Sequence, residues 1–483
     1  AVFTARRKLR ASRTASWDAI DALRVDSREV FRKARIAREE SLARREEKAS
    51  TNPAPRALPQ LAWLSLALTA VAAAVFGAWW GATALIGGGL LPLSDTFGTL
   101  WANAWSVTPT QWGFDASPLP ADPASFVLAF VGSLAWWAPT SALVWLVLGA
   151  LPLAGAIAWW GFSHVFRQSW TTTLMSFLWA LSPTFLFALT EGRVGAVMAH
   201  LALPWLAGSL FGAHHSWQRV GSASLAAVVV TAGAPALFPA VVLGVLLLVL
   251  LRGWGSPLPM LAGVLPFVLA PSLLLAIPRF LAWWESVDGR WWQNGGTLFA
   301  DPGVAVAYDA APWWSLVLGI PSTVPAGVAE AMPQSATALL VLVAMAGMAI
   351  ALAIAVLSLA FGRSETSLSF SVLFALGLVT ATVAPALFSG FADGVSTSVW
   401  PGSGVSLMVL GVLIGAGSLL DRVWFSDALG NPRNAFPQWS VRSIGAAVTI
   451  TSLATPALLG IYVWSGFGAV QPASAPRTLP AFV

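Results

Sequence analysis

Residues 59–82 read PQLAWLSLALTAVAAAVFGAWWGA, a stretch without a charged side chain. About 20 consecutive apolar residues are enough for an α-helix to cross the hydrocarbon core of a bilayer. The preceding residues, 1–56, hold 15 basic and 8 acidic side chains, including all three lysines of the chain. An excess of Lys and Arg on one flank keeps that flank in the cytoplasm. The stretch therefore predicts a first membrane span whose amino-terminal side is cytoplasmic.

The rest of the chain repeats this apolar pattern. The whole chain of 483 residues is 57 % hydrophobic and 10 % charged, whereas soluble domains carry roughly 25 % charged residues. Further spans are predicted at 139–163, 171–190, 194–212, 257–279, 335–361, 368–390, 402–420 and 442–464. Region 219–252 is too long for one straight span and is interrupted by Gly233 and Pro235, so we count it as two.

Charge supports this count, because eleven spans place seven of the eleven arginines after Arg56 on the cytoplasmic side. With ten spans, the arginines would no longer be concentrated on the cytoplasmic side. We therefore predict an all-α, polytopic integral membrane protein with about 11 transmembrane helices, its amino terminus inside and its carboxyl terminus outside. The predicted parts are a cytoplasmic basic juxtamembrane segment (1–56), a transmembrane domain (57–466) with external loops 83–138 and 283–334, and an external tail (467–483).

Composition and motifs exclude several classes of function. There is no cysteine, which excludes disulfides, thiol catalysis and thiolate metal sites. No P-loop, no GxGxxG after a strand and no HExxH occurs, and no nucleic-acid-binding pattern accompanies the basic segment. We expect no cofactor and no metal site, although a divalent metal stays open. Residues 1–56 lack the apolar core of a signal peptide, and we expect the chain to be a piece of a longer polypeptide.

The tripeptide Glu191-Gly192-Arg193 lies in a very short external turn between two predicted spans. Charges this close to the hydrocarbon are costly and are usually paired or functional. Arg193 would bind the phosphate of a lipid-linked donor, or would simply pair with Glu191 where two helices end. His200 follows seven residues later on the same helix face, as a site residue or as a hydrogen-bond partner between helices.

The first external loop supplies acidic candidates for a general base. Asp95 follows the first span closely and would deprotonate a sugar hydroxyl, with Asp115 and Asp122 as alternatives in the same loop. Asp95 and Asp122 also precede plausible helices, so each could be an N-cap instead. The apolar end of this loop, Pro123–Trp137, is too short to span and predicts a re-entrant or interfacial helix.

Four charged residues cluster just past a span, around the start of the second external loop: Arg279, Glu285, Asp288 and Arg290. Trp pairs lie beside them, and aromatic faces stack on guanidinium groups and on carbohydrate. These residues would line a groove for a sugar, or would be ordinary interfacial anchors.

The order of these features resembles the membrane portion of large actinobacterial cell-envelope glycosyltransferases, which carry a cytoplasmic family 2 catalytic domain ahead of it. That portion in turn is similar to the glycosyltransferase C superfamily. The likeness rests on the basic segment, the acidic first loop and the motif Glu191-Gly-Arg-Val-Gly followed by His200-Leu-Ala-Leu-Pro204. It implies a polyprenyl-phosphate sugar donor, a glycan acceptor and a site at the outer face of the cell membrane. Asp95, or less well Asp115, would match the acid of the first loop.

By the same resemblance Arg193, helped by Arg279 and Arg290, would contact the donor phosphate, with Glu191, His200, Glu285 and Asp288 in support. This chain shows no adjacent pair of acids in its first loop, unlike the commonest pattern of the superfamily. We therefore keep two alternatives to a membrane glycosyltransferase. One is a flippase or transporter for lipid-linked glycans, and the other is a non-catalytic anchor for an upstream catalytic domain.

Overall fold

The structure, a computed structural model, describes the residues 54–107, 119–120, 122–212, 216–252, 258–285, 298–323, 332–361, 364–392, 395–428, 438–466 and 468–473. Most of the predicted basic segment, Asp115, Asp288, Arg290, most of the predicted tail and the side chain of Glu285 lie outside the described residues. The chain divides into the units Ala1–Pro59 and Gln60–Val483. Only residues 54–59 of the first unit are described.

The described residues form α-helices joined mostly by short connections, which confirms the predicted all-α class. In chain order the helices are α1 (Ala54–Phe76), α2 (Phe97–Trp105), α3 (Pro123–Ser133), α4 (Pro139–Leu148), α5 (Ala150–Ser163), α6 (Ser169–Ala180), α7 (Pro183–Thr190), α8 (Val194–Gly212), α9 (Trp217–Gly233), α10 (Phe238–Arg252), α11 (Leu258–Glu285), α12 (Trp313–Val317), α13 (Gln334–Phe361), α14 (Ser364–Val383), α15 (Gly402–Ala428), α16 (Gln438–Ser452) and α17 (Ala454–Trp464). Short antiparallel strand pairs join β1 (Ala84–Ile86) to β6 (Gln471–Ala473), β2 (Ser106–Val107) to β3 (Leu119–Pro120), and β4 (Phe388–Ala392) to β5 (Val395–Ser398).

Eight helical segments in the described part are long and apolar enough to cross a bilayer, and a bent pair of helices makes a possible ninth. The eight are Pro59–Trp79, Ser169–Thr190, Val194–Phe211, Val264–Leu281, Gln334–Phe361, Thr366–Ala386, Gly402–Val423 and Ser443–Trp464. Each overlaps a predicted span. The chain is therefore a multi-pass membrane protein.

Several predicted spans are broken helices rather than straight ones. The predicted span 139–163 consists of α4 and α5, which meet at an angle of 68° beside Gly149. The predicted span 171–190 is divided into α6 and α7, and α7 starts at Pro183. Proline has no N–H to donate and its ring blocks the preceding turn, so a helix tends to restart there.

Region 219–252 is divided as the sequence indicates. Helix α9 ends at Gly233, a 3₁₀ turn covers Pro235–Leu237, and α10 begins at Phe238. The two helices have 17 and 15 residues, short for a straight crossing. The total of eleven spans therefore stays a prediction.

The first and last helices end on the same side of the bundle. β1 follows α1 and pairs with β6, which follows α17. In addition, Trp464 Nε1 donates a hydrogen bond to Ala74 O at 2.8 Å. An odd number of crossings requires this arrangement. Which side faces the cytoplasm stays a prediction.

The first external loop contains two short helices, α2 and α3. Asp122 is the N-cap of α3, as one prediction had it, because its Oδ1 accepts the Ala124 N–H at 3.0 Å. The same prediction for Asp95 is wrong. Thr96 caps α2 instead, since its Oγ1 accepts the Thr99 N–H at 3.2 Å. That α3 lies in the membrane interface stays a prediction.

The centre of the bundle is α15, most of which is buried. Helix α14 packs closely on it because glycines face each other. A Cβ at Gly377 would lie 2.5 Å from Met408 N, and one at Gly404 would lie 2.5 Å from Ala381 N. Small residues allow such backbone contact, which replaces the hydrophobic driving force that lipid cannot provide.

Candidate functional site

The turn Glu191-Gly192-Arg193 joins α7 to α8 and has a fixed backbone. Gly192 has a φ of 70°, and the Arg193 N–H donates to Ala188 O at 2.8 Å, which closes the end of α7. Glycine adopts this left-handed conformation without a steric penalty. The Gly89 N–H donates to Glu191 O at 3.0 Å, so the loop after β1 holds the turn from outside.

Arg193 is buried and already engaged with protein groups. Its Nε donates to Glu191 Oε2 at 2.6 Å, and both side chains are at most one-tenth exposed. Its Nη2 donates to Val306 O at 3.3 Å. The guanidinium carbon lies 5.5 Å from the ring centre of Tyr308 and 5.0 Å from that of Trp400. Aromatic faces attract a cation at this distance, so the pair is stabilised from several directions.

Tyr308 connects the second external loop to the start of α15. Its hydroxyl donates to Val399 O at 2.8 Å and lies 2.9 Å from Ser398 Oγ. Burial raises the pKa of Tyr308, so the phenol is neutral at ordinary pH. The ring is thereby fixed beside the guanidinium of Arg193.

A second ion pair lies at the end of α11. Arg279 Nη1 is 3.3 Å from Asp122 Oδ2, and Arg279 Nη2 donates to Ala300 O at 2.9 Å. The two side chains are 20 % and 28 % exposed, so this pair reaches the surface, unlike the pair of Glu191 and Arg193. It connects the start of α3 to the second external loop.

Asp301 lies near both arginines. Its Oδ2 accepts the Trp400 N–H at 3.3 Å. Burial raises the pKa of Asp301 from 3.8 to about 6, and the charge of Arg193, the Trp400 N–H and the charge of Arg279 oppose that rise. We call Asp122, Glu191, Arg193, Arg279 and Asp301 the charged cluster; it carries three acids and two arginines.

The structure brings together some of the predicted site residues. Glu191, Arg193 and Arg279 belong to the charged cluster, and their roles stay predictions. Asp95 is exposed on the loop before α2, and the structure gives it no part in the cluster. Glu285 is the last residue of α11.

His200 lies deeper in the bundle than the charged cluster. Seven residues along α8 place it about 10 Å from Arg193. Its ring is stacked between Trp179 and Phe185, with centroid distances of 3.8 and 4.4 Å. Its Nδ1 lies 2.9 Å from Ser406 Oγ on α15. This geometry fits the predicted role of a hydrogen-bond partner between helices.

Sequence reasoning did not single out Asp301, Tyr308 or Trp400. Tyr308 carries a weak signal, because the chain has two tyrosines in all. Asp301 precedes Pro302 and Gly303, which reads as an ordinary turn. Trp400 is one of 27 tryptophans and cannot be told from the interfacial ones by sequence.

The described residues do not contain three or more His, Cys, Asp or Glu side chains grouped to hold a metal ion. The arginines in the charged cluster give it the means to bind an anion without a metal.

No family model and no curated protein matches the chain. Among solved structures, the chain is similar to the arabinofuranosyltransferase AftD from Mycobacteria, determined by single-particle cryo-EM. The sequences are 14 % identical and the TM-score is 0.46 over 84 % of this chain and 26 % of that one. At these values the likeness decides neither fold nor activity, and this chain spans about a quarter of the length of AftD.

Proposed function

We propose that this chain is the membrane domain of a cell-envelope glycosyltransferase. It transfers a sugar from a polyprenyl-phosphate donor to a glycan acceptor at the outer face of the membrane. The observation that carries the proposal is the charged cluster itself. Two arginines, each paired with a carboxylate, lie where the helices of an apolar membrane bundle end. Charges this close to hydrocarbon are expensive to keep and are functional by default.

The two arginines suit the leaving group of such a reaction. When the acceptor hydroxyl attacks the anomeric carbon, the bond from that carbon to the phosphate oxygen breaks. The bonding electron pair leaves with the polyprenyl phosphate, and positive charge nearby stabilises it. Arg279 is the more accessible of the two and would contact the phosphate directly, with Arg290 as the further predicted contact. Arg193 adds its charge from behind.

The acceptor hydroxyl must lose a proton as it attacks. In the sequence-based assignment Asp95 receives it, with Asp115 as the alternative. Asp95 is exposed, so it is accessible to a glycan in solution.

The proposal is tested by sugar transfer in membranes that contain the wild-type chain or an Arg279→Ala variant, with a panel of polyprenyl-phosphate sugars. Arg219→Gln is the control, because it lies about 21 Å along α9 from Gly233, which packs on the start of α8. We expect Arg279→Ala to lower transfer by roughly 10²-fold or more, as loss of one charged stabiliser does, and the control to be unchanged. Equal transfer in all three membranes would contradict the proposal and favour a non-catalytic anchor.

A further inference from the structure

Asp301 has a carboxylate oxygen without a partner. Its Oδ2 accepts the Trp400 N–H, whereas Oδ1 is buried and has no hydrogen-bond donor in the described part of the chain. Buried polar atoms are almost always hydrogen-bonded, so an unpaired one needs an explanation. A substrate O–H or N–H group that binds to this oxygen is one such explanation.

Among the described residues, Asp301 is the acid of the charged cluster that is not in an ion pair with either of its arginines. Arg193 holds Glu191, and Arg279 holds Asp122. The charges of both arginines act on Asp301 and favour its ionised form. The charge of Asp122 also acts on Asp301 and disfavours that form. The phenol of Tyr308, on the same loop, is near enough for Asp301 to raise its pKa. The third acid thus lies among two arginines that are each already paired with another carboxylate.

The backbone at Asp301 is firmly placed. The next residue, Pro302, packs on the start of α8, where a Cβ at Gly195 would lie 2.4 Å from Pro302 Cγ. On the other side, the carboxylate accepts the N–H of Trp400, which lies just before α15. A side chain supported from two helices in this way holds its geometry well enough for chemistry.

We propose that Asp301 is the catalytic base of the transfer reaction, and that its Oδ1 accepts a hydrogen bond from the acceptor-sugar hydroxyl. This proposal rests on the proposed function and replaces Asp95 as the base. As the hydroxyl oxygen bonds to the anomeric carbon, its proton moves to Oδ1, and the polyprenyl phosphate leaves with the electron pair of the broken bond. A base is most effective when its pKa lies close to the working pH. The pKa of about 6 for Asp301 meets that condition.

The experiment compares kcat, KM and pH dependence of transfer for wild type, Asp301→Asn and Asp95→Asn. Asp309→Asn is the matched control, because Asp309 is an exposed acid in the same loop. Its backbone oxygen accepts the Thr323 N–H, and the substitution keeps that backbone oxygen. We expect Asp301→Asn to lower kcat by roughly 10²–10⁴-fold with a small change in KM for the donor. Asp309→Asn should stay within about threefold of wild type, and Asp95→Asn tests the sequence-based alternative directly.

The pH profile separates a base from a merely structural residue. Wild-type kcat should fall below pH 6 as Asp301 becomes protonated, and the residual activity of Asp301→Asn should lack that fall. Asn is neutral, like the form of Asp301 that burial favours, so the variant should melt no lower than wild type at neutral pH. If Asp301→Asn fails to fold, Asp301→Glu is the second variant, because it keeps the charge. It should lower kcat and also shift the pH at which kcat falls on the acid side.

Three outcomes would overturn the inference. Transfer by folded Asp301→Asn within about threefold of wild type would exclude a base role. An unchanged acid limb in that variant would assign the limb to another group. A large loss in Asp95→Asn, with Asp301→Asn active, would restore Asp95. In each case inactivity of Arg279→Ala would leave the proposed function standing, whereas wild type inactive with every donor would remove both proposals.

Discussion

Arg193 shows how a charge is kept near the hydrocarbon. The guanidinium donates one N–H to Glu191 and another to Val306 O, and it lies near the rings of Tyr308 and Trp400. Each of these contacts replaces part of the hydration that burial removes. A lysine would keep the charge but lose the planar group that makes the contacts simultaneously.

The pair of Glu191 and Arg193 predicts an asymmetry between single and double substitutions. Glu191→Gln leaves a buried arginine without its counter-ion, which typically costs about 3–5 kcal/mol. The double variant Glu191→Gln with Arg193→Met removes both charges, so we expect it to melt at a higher temperature than the single variant. Thermal unfolding in detergent measures the difference. A double variant as unstable as the sum of both single variants would show that the two side chains act independently.

At the scale of elements, the charged cluster is assembled from helix ends. It combines the α7–α8 turn, the start of α3, the end of α11 and the loop that contains Asp301. The loop after β1 seals it, because a Cβ at Gly88 would lie 2.1 Å from Glu191 O. The pairing of β1 with β6 therefore supports the site, although neither strand contributes a charged residue to it.

Two glycines with positive φ provide a matched test of that seal. Gly81 and Gly88 have φ values of 84° and 57°, but only Gly88 has backbone atoms in the way of a Cβ. Substitution by alanine at Gly81 should cost about 1 kcal/mol from the backbone alone. Gly88→Ala must also displace the Glu191 turn, so we expect a clearly lower melting temperature and reduced sugar transfer.

Melting temperature and transfer are measured for the two alanine variants side by side. Equal effects of the substitutions would mean that the loop after β1 does not position the turn. Activity retained in Gly88→Ala despite a lower melting temperature would separate stability from positioning.

At the scale of the whole molecule, the helix ends that build the cluster lie on the same side of the bundle as the exits of α1 and α17. The basic segment before α1 predicts that this side is external. Transfer at the outer face depends on that orientation.

The orientation is testable because the chain has no cysteine. Single substitutions Asp309→Cys and Ser163→Cys introduce thiols at two exposed positions, one in the second external loop and one at the end of α5. In intact cells, a membrane-impermeant maleimide should label Asp309→Cys but not Ser163→Cys. After the cells are permeabilised, it should label both. The reverse pattern would place the charged cluster in the cytoplasm and contradict transfer at the outer face.

The apolar runs of the sequence predicted the eight helical segments of the described part that are long and apolar enough to cross a bilayer. A bilayer imposes length and hydrophobicity on each span separately. Breaks such as the one between Gly233 and Pro235 were equally visible, since proline and glycine act through the local backbone. Glu191 and Arg193 were found for the same reason, as charges beside an apolar run. These are local properties, and a sequence carries them in full.

Only the tertiary structure decided which distant residues complete the site. Asp301 and Trp400 are 99 residues apart and meet through one hydrogen bond, and Arg279 meets Asp122 from the other external loop. Their roles depend on how helices pack side by side, which the hydrophobic pattern leaves open because lipid and protein interior are equally apolar. The sequence alone determined that the chain crosses the membrane many times, whereas the packing determined where its buried charges come together.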